Sequence, residues 1–282
     1  MSTAYLFPGQ GSQTPQMRDM VAELRPDLLA LVTEVVGEDP FLRVDEGTRF
    51  AQPAIFCASL AGWHRLKSED PAIEPPAFTA GHSLGELGAL VAAGMLAELD
   101  GLRLVALRGK LMQEAGERAG DGGMIALLGA GAVERADEIA APHGLAIAND
   151  NSPQQVVLSG LRSVLPAAAS TAKELGVRAM ILPVTGAFHS PLMQSAVEPF
   201  RAALEQVELH ASETTVLSAV SAAPFEDIRA GLVQALTGPV RWREVMLELQ
   251  ARGIDRFVEV GPGKVLTGLA KRTLKEMELV NV

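Results

Sequence analysis

A single cysteine, Cys57, stands in a chain of 282 residues. That excludes an internal disulfide and any zinc site built from several thiolates. The histidines, at 64, 82, 143, 189 and 210, show neither HxxxH nor HxH spacing, so no metal is expected. Basic charge is short as well: 24 lysines and arginines face 34 aspartates and glutamates, giving a net charge of -10 and a pI near 5.1. The basic residues are scattered, which argues against nucleic acid or an anionic membrane as partner. No segment sustains the roughly eighteen apolar residues of a membrane span, and Met1 to Phe7 lacks the features of a signal peptide. There is no internal repeat or low-complexity tract. These absences leave a soluble, cytoplasmic protein that handles small molecules.

What is present is apolar: hydrophobic residues make up 48% of the chain, enough for a large core. Short apolar runs alternate with longer amphipathic ones, as in Ala4 to Phe7 before a helix near Gln16 to Val36, and Phe257 to Val260 before Lys264 to Lys275. That alternation predicts an α/β fold with a mainly parallel sheet. Between Met124 and Val184 the texture changes. Strand-like runs (124–128, 145–149, 155–159, 179–184) and helix-like runs (132–141, 163–175) follow the β-α-β-β-α-β order of a ferredoxin-like unit. We therefore expect an α/β domain over 1–123 and 187–282, interrupted by a small subdomain over 124–186. A polar, proline-rich surface loop is expected at 68–76.

The strongest local signal is Gly81-His82-Ser83-Leu84-Gly85, which follows the strand-like Ala77 to Ala80 and precedes a helix. This GxSxG pattern is that of a nucleophile elbow, in which a sharp turn exposes the serine oxygen and flanking glycines let neighbouring backbone approach; a plain glycine-rich turn is the alternative. The free N–H of Leu84 at the helix start would face a developing oxyanion. The loop Phe7-Pro8-Gly9-Gln10-Gly11 lacks the third glycine of GxGxxG and the Lys-Ser/Thr of a phosphate loop. It is read instead as bringing the Gln10 N–H to the elbow as a second donor. His189, between a strand-like run and Ser190-Pro191, is the candidate base, held neutral by a helix N-terminus; a simple helix cap is the other reading. His82 should point away from the serine.

Arg108 falls on a helix over 99–115 with Leu104, Val105, Leu111 and Met112 at i-4, i-3, i+3 and i+4. A guanidinium on an apolar face needs an anion. That anion is either a carboxylate from elsewhere in the chain or one on a substrate. Cys57, among small and apolar residues, reads as a buried thiol, and the glycine-rich turn after Glu259 as architectural.

Together the segments beginning at Phe7, Gln52-Pro53-Ala54, Gly81-His82-Ser83-Leu84-Gly85-Glu86, Arg108-Gly109-Lys110, Asn151-Ser152-Pro153, Gly186-Ala187-Phe188-His189-Ser190-Pro191 and Glu259-Val260-Gly261-Pro262-Gly263-Lys264 resemble the malonyl-CoA:acyl carrier protein transacylases and related acyltransferase domains of polyketide synthases. The resemblance implies a hydrolase-like α/β domain with a ferredoxin-like insert. It implies Ser83 as acylated nucleophile, His189 as base, Arg108 as anchor of the malonyl carboxylate, and the Gln10 and Leu84 amides as oxyanion hole. It also implies a main-chain carbonyl from the Gly231 to Leu236 segment orienting the histidine, in place of an acidic residue. Ala235 stands there where glutamine is frequent. Leu84 and Phe188 are similar to malonyl-preferring members. Malonyl-CoA and the phosphopantetheine arm of an acyl carrier protein enter as substrates, with no further cofactor, and the chain is expected to act as a monomer. A basic patch including Lys110 or Lys271 is expected at the cleft. A serine esterase or thioesterase using the same Ser-His pair is the alternative function. The motifs do not separate fatty-acid synthesis, polyketide synthesis in trans and malonate decarboxylation.

Overall fold

The computed structural model describes residues 2–70 and 75–282. The chain opens on β1 (Thr3–Phe7) and runs through helices α1 (Met17–Leu24), α2 (Pro26–Val36) and α3 (Thr48–Glu69) to β2 (Phe78–Gly81), α4 (Gly85–Ala92) and α5 (Glu98–Arg118). It then builds a second unit from β3 (Gly122–Leu128), α6 (Ala136–Ala140), β4 (Ala146–Ser152), β5 (Gln155–Leu161), α7 (Leu165–Glu174) and β6 (Arg178–Ile181). Helix α8 (Val197–Glu205) returns it to β7 (Thr215–Leu217), α9 (Ile228–Gln234), α10 (Trp242–Ala251), β8 (Arg256–Glu259), α11 (Val265–Thr273) and β9 (Glu278–Asn281).

The first sheet has five strands in the order β7-β2-β1-β8-β9, and every pairing is parallel. Its central strand β1 is apolar on both faces, as a sheet covered by helices on both sides requires. The second sheet has four antiparallel strands in the order β4-β5-β3-β6, the ferredoxin-like arrangement. In the first sheet the chain crosses over between β2 and β8 on either side of β1, and ligands of open α/β sheets bind at the carboxyl ends of strands around such a switch. Phe7 and Gly81, the last residues of β1 and β2, pair there.

Helix α3 is buried almost all round from Phe50 to Gly62, and Cys57 at its centre is fully buried, its thiol pKa raised by desolvation. It crosses α5 closely because Gly109 has no side chain: a Cβ there would sit 2.7 Å from the Thr48 carbonyl oxygen. That approach sets Arg108 beside α3.

Three local expectations are corrected. The single helix expected over 16–36 is two, because Pro26 has no N–H to continue α1 and starts α2 at its first position, with Arg25 out of helical geometry between them at φ -145° and ψ 64°. The helix expected over 132–141 shortens to α6 with turns before it and a 3-10 turn after it. The loop expected at 68–76 starts later, since α3 continues to Glu69 and the Asp70 N–H still bonds to Leu66; residues 71–74 of that loop lie outside the described residues. Among the described residues no helix is long and apolar enough to cross a membrane, and no cluster of three or more His, Cys, Asp or Glu is placed to hold a metal.

Candidate active site

The turn between β2 and α4 is built by close backbone contact. A Cβ on Gly81 would lie 1.9 Å from the carbonyl carbon of Gly85, and one on Gly85 would lie 2.1 Å from the Phe7 oxygen. Only glycine fits either position. The His82 N–H bonds to the Phe7 oxygen at 2.9 Å, so the elbow is pinned to the end of β1. Ser83 is thereby forced into the left-handed region at φ 55°, which costs on the order of 1 kcal/mol. His189 is left-handed as well, at φ 58°. Strain at both positions is sustained by the packing around them.

Ser83 Oγ and His189 Nε2 are 2.8 Å apart. The other ring nitrogen of His189, Nδ1, lies 2.8 Å from the Ala235 carbonyl oxygen. A carbonyl only accepts, so Nδ1 carries the proton and Nε2 is free to accept from the serine. His189 is 5% exposed, and its pKa is lowered to about 3, by burial first and by the charge of Arg108 second. The helix-terminus effect expected from the sequence is therefore not the principal cause. Nor is His189 a helix cap: Ser190 takes that place, its hydroxyl accepting from the Leu192 N–H at the head of a 3-10 turn, Pro191–Ala196, that precedes α8.

Arg108 is 3% exposed on α5. Its Nη1 donates to Gln52 Oε1 at 2.8 Å and its Nη2 to Ser83 Oγ at 3.1 Å. Among the described residues no carboxylate comes within ion-pair distance of it. Burial lowers its pKa to about 10, partly offset by the charge of Glu86, so it remains a cation at neutral pH. Glu86, 1% exposed in the first turn of α4, spends its carboxylate on the Ala219 N–H at 2.8 Å. Its pKa is pushed up to about 7 by burial.

Gln10 follows β1 and Leu84 precedes α4; the N–H groups of both have no hydrogen-bond partner among the described residues. The two segments are pressed together, since a Cβ on Gly9 would meet the His82 oxygen at 2.5 Å. His82 points away from Ser83 and donates Nε2 to Asn151 Oδ1 at 2.8 Å, bridging the elbow to β4. A cavity of about 690 Å³ opens over Ser83 and His189, walled by Gln10, Gln52 and Met112 on one side and by Asn149, Asn151 and Phe188 on the other. Neither Lys110 nor Lys271 lines it, and Lys110 is within 3.9 Å of Glu114. Sequence reasoning gave no part to Thr48 and none of its own to Gln52; both bond within this wall, and the helical spacing of Gln52 with Thr48 at i-4 was the signal available.

A serine oxygen held between a neutral imidazole and a guanidinium, at the carboxyl end of a parallel sheet, is equipped to pass acyl groups through a serine ester. The chain belongs to the acyl transferase domain family, whose model matches residues 4–282. It is 37% identical to the malonyl CoA-acyl carrier protein transacylase of Haemophilus influenzae, over 99% of this chain and 94% of that protein. It is also 37% identical to the polyketide biosynthesis protein ThaF of Burkholderia thailandensis, where 97% of this chain spans only 24% of the longer protein. The solved structure of a type II PKS acyl-carrier protein in complex with its malonyl-transacylase matches with a TM-score of 0.89 and 35% identity, over 100% of this chain and 96% of that one.

Proposed function

We propose that this protein moves a malonyl group from malonyl-CoA onto Ser83 and then to the phosphopantetheine thiol of an acyl carrier protein. The observation that carries the reading is Arg108: a buried cation with only neutral partners, one of them the serine oxygen itself. A malonyl carboxylate supplies the missing charge by taking Nη2 from Ser83, in the bidentate geometry a guanidinium favours. His189 then accepts the Ser83 proton on Nε2 as the freed oxygen attacks the thioester carbonyl. The carbonyl oxygen becomes an anion that the Gln10 and Leu84 N–H groups receive, and coenzyme A leaves as its thiol with the proton from His189. The carrier thiol repeats the steps in reverse. The Ala235 carbonyl keeps the imidazole in the required tautomer and supports its transient charge, the task an acidic residue performs in a triad.

The carrier is assigned to the face of α11. Lys264, Lys271, Arg272 and Lys275 lie on or beside this helix and make no ion pair among the described residues, while Val265, Leu266 and Leu269 of the same helix line the cavity. Most other arginines of this acidic chain are paired. An acidic carrier domain would find its complement there, next to the cavity mouth.

Intact-protein mass spectrometry tests both statements. Brief exposure to malonyl-CoA should add one malonyl group to the wild type and none to Ser83→Ala, and holo acyl carrier protein should remove it. Reversing Lys271 and Arg272 to glutamate should slow that removal more than the loading. Absence of the adduct, with malonyl-CoA intact or simply hydrolysed, refutes the transfer reading.

A further inference from the structure

The wall beside Ser83 contains a chain of side-chain hydrogen bonds that the reaction above does not use. Arg108 Nη1 donates to Gln52 Oε1 at 2.8 Å, Gln52 Nε2 donates to Thr48 Oγ1 at 2.8 Å, and Thr48 Oγ1 donates to Gln10 Oε1 at 2.7 Å. Its direction is fixed from one end. A guanidinium has no acceptor, so Gln52 must turn its oxygen to Arg108 and its amide nitrogen to Thr48. The one hydroxyl proton of Thr48 is then left for Gln10.

The two ends of this relay differ in how firmly they are held. Gln52 and Thr48 are 1% and 3% exposed, so water cannot replace a bond lost between them. Gln10 is exposed, stands between two glycines with Gly11 left-handed at φ 99°, and makes no other side-chain hydrogen bond among the described residues. The loop around it is closed on itself by Ser12 Oγ donating to the Gly9 oxygen at 2.7 Å and by the Gly11 N–H donating to Gln13 Oε1 at 2.8 Å, and the Thr48 hydroxyl ties the Gln10 side chain to α3 and, through Gln52, to the residue that anchors the charge.

We infer that Thr48 is a positioning residue that fixes the distance between the carboxylate anchor, Arg108, and the oxyanion donor, the Gln10 N–H. This rests on the acyl-transfer reading given above. A malonyl group is engaged at both ends by one hydrogen-bonded unit, its carboxylate at Arg108 and its thioester oxygen at Gln10. The relay therefore acts on the chemical step, where the oxyanion forms, more than on ground-state binding.

The test is rapid-quench malonylation of Ser83 across malonyl-CoA concentrations. Thr48→Val removes the hydroxyl and keeps the shape; the maximal acylation rate should fall about tenfold or more, with the half-saturating concentration held within about twofold. Thr48→Ser restores the hydroxyl and should restore most of the rate, which a purely steric role for the residue would not produce. Gln10→Met cuts the same relay at its exposed end, keeps the backbone N–H and puts no burden on folding. It should lose as much as Thr48→Val, and the double variant should lose no more than either, as members of one network do. Acylation at the parental rate in Thr48→Val or Gln10→Met, a slow Thr48→Ser, or losses that multiply in the double variant would overturn the relay. A parent enzyme that forms no malonyl-Ser83 overturns the transfer reading instead, a result distinct from a slow variant of an active parent.

Discussion

Two arginines separate the part of this molecule that is finished from the part that waits. Arg243 on α10 reaches across to Asp150 on β4, donating from Nε at 2.9 Å and from Nη2 at 2.6 Å, and joins the second sheet to the first unit. The backbone repeats the link, with the Asp150 N–H on the Val240 oxygen and the Val240 N–H on the Ala148 oxygen. Asp150 raises the Arg243 pKa. Arg108 is the more deeply buried of the two and has no such partner; its pKa falls to about 10. Desolvation costs more at depth, so the buried cation is the one that should hold a counter-ion. The inversion is informative. Where a charge joins two layers the chain supplies both signs, whereas Arg108, bonded to Ser83 and Gln52 of the cavity wall, has only neutral hydrogen-bond partners, as the proposed anchor of a carboxylate requires.

The largest test of that contrast is Arg108→Ala. Removing the cation should lower kcat/KM for malonyl-CoA by about 100-fold or more, the scale of losing one partner of a buried charge pair. Acetyl-CoA, with no carboxylate to place, should lose only what cutting the relay to Gln10 costs, about tenfold, so the malonyl-over-acetyl ratio is the quantity to measure. A ratio that survives the substitution breaks the comparison, because Arg108 would then be a structural cation like Arg243. Free malonate sharpens it further: it should raise the melting temperature of the parent and leave Arg108→Ala unmoved, since only a binding site in the native state produces such a shift.

Arg243→Ala should behave in the opposite way. The pair is partly exposed, at 27% and 17%, so its loss should cost about 1–3 kcal/mol of unfolding free energy. The malonyl-over-acetyl ratio should stay where it was. Denaturant unfolding together with the two acyl-transfer rates checks this, and a change of ratio as large as that of Arg108→Ala would show that joining the sheets and anchoring the substrate are not separate tasks.

The sequence revealed this contrast unevenly. Arg108 stood out because helical spacing alone surrounds it with Leu104, Val105, Leu111 and Met112, and an acidic partner at i±3 or i±4 is missing. Ser83 stood out because a strand, a glycine-flanked turn and a helix are consecutive in the chain. The alternation of apolar runs carried the α/β class and the order of the second sheet for the same reason: each is a local pattern. Thr48 and Gln10 meet across 38 residues, and Gln52 meets Arg108 across 56. Nothing local encodes those meetings, and the second of them follows from how closely Gly109 lets α5 approach α3. The break at Pro26 was local and legible, but periodic apolar residues on both sides concealed it. His189 illustrates the middle case, since its neighbours suggested a helix terminus while burial and a cation distant in sequence govern its proton.

That proton offers the smallest effect. His189 has a pKa near 3 in the free protein and would titrate near 6.5 in an unfolded chain. The folded value is the lower one, so between those two pH values the unfolded state binds more protons. The contribution of His189 to stability is intact above the unfolded value and declines as pH falls through the window. Catalysis carries the same signature with more resolution. The free enzyme sets kcat/KM, which should stay flat from about pH 7 to about pH 5, a range over which an unperturbed imidazole would lose more than tenfold. The complex sets the maximal acylation rate. There the substrate carboxylate offsets the charge of Arg108, the second cause of the lowered pKa, so the acid limb of the maximal rate should sit at higher pH. Arg108→Ala removes that cation in both states, and its two limbs should coincide. If the two limbs already coincide in the parent enzyme, no carboxylate is meeting Arg108, and the cation beside Ser83 is filled by something other than the substrate.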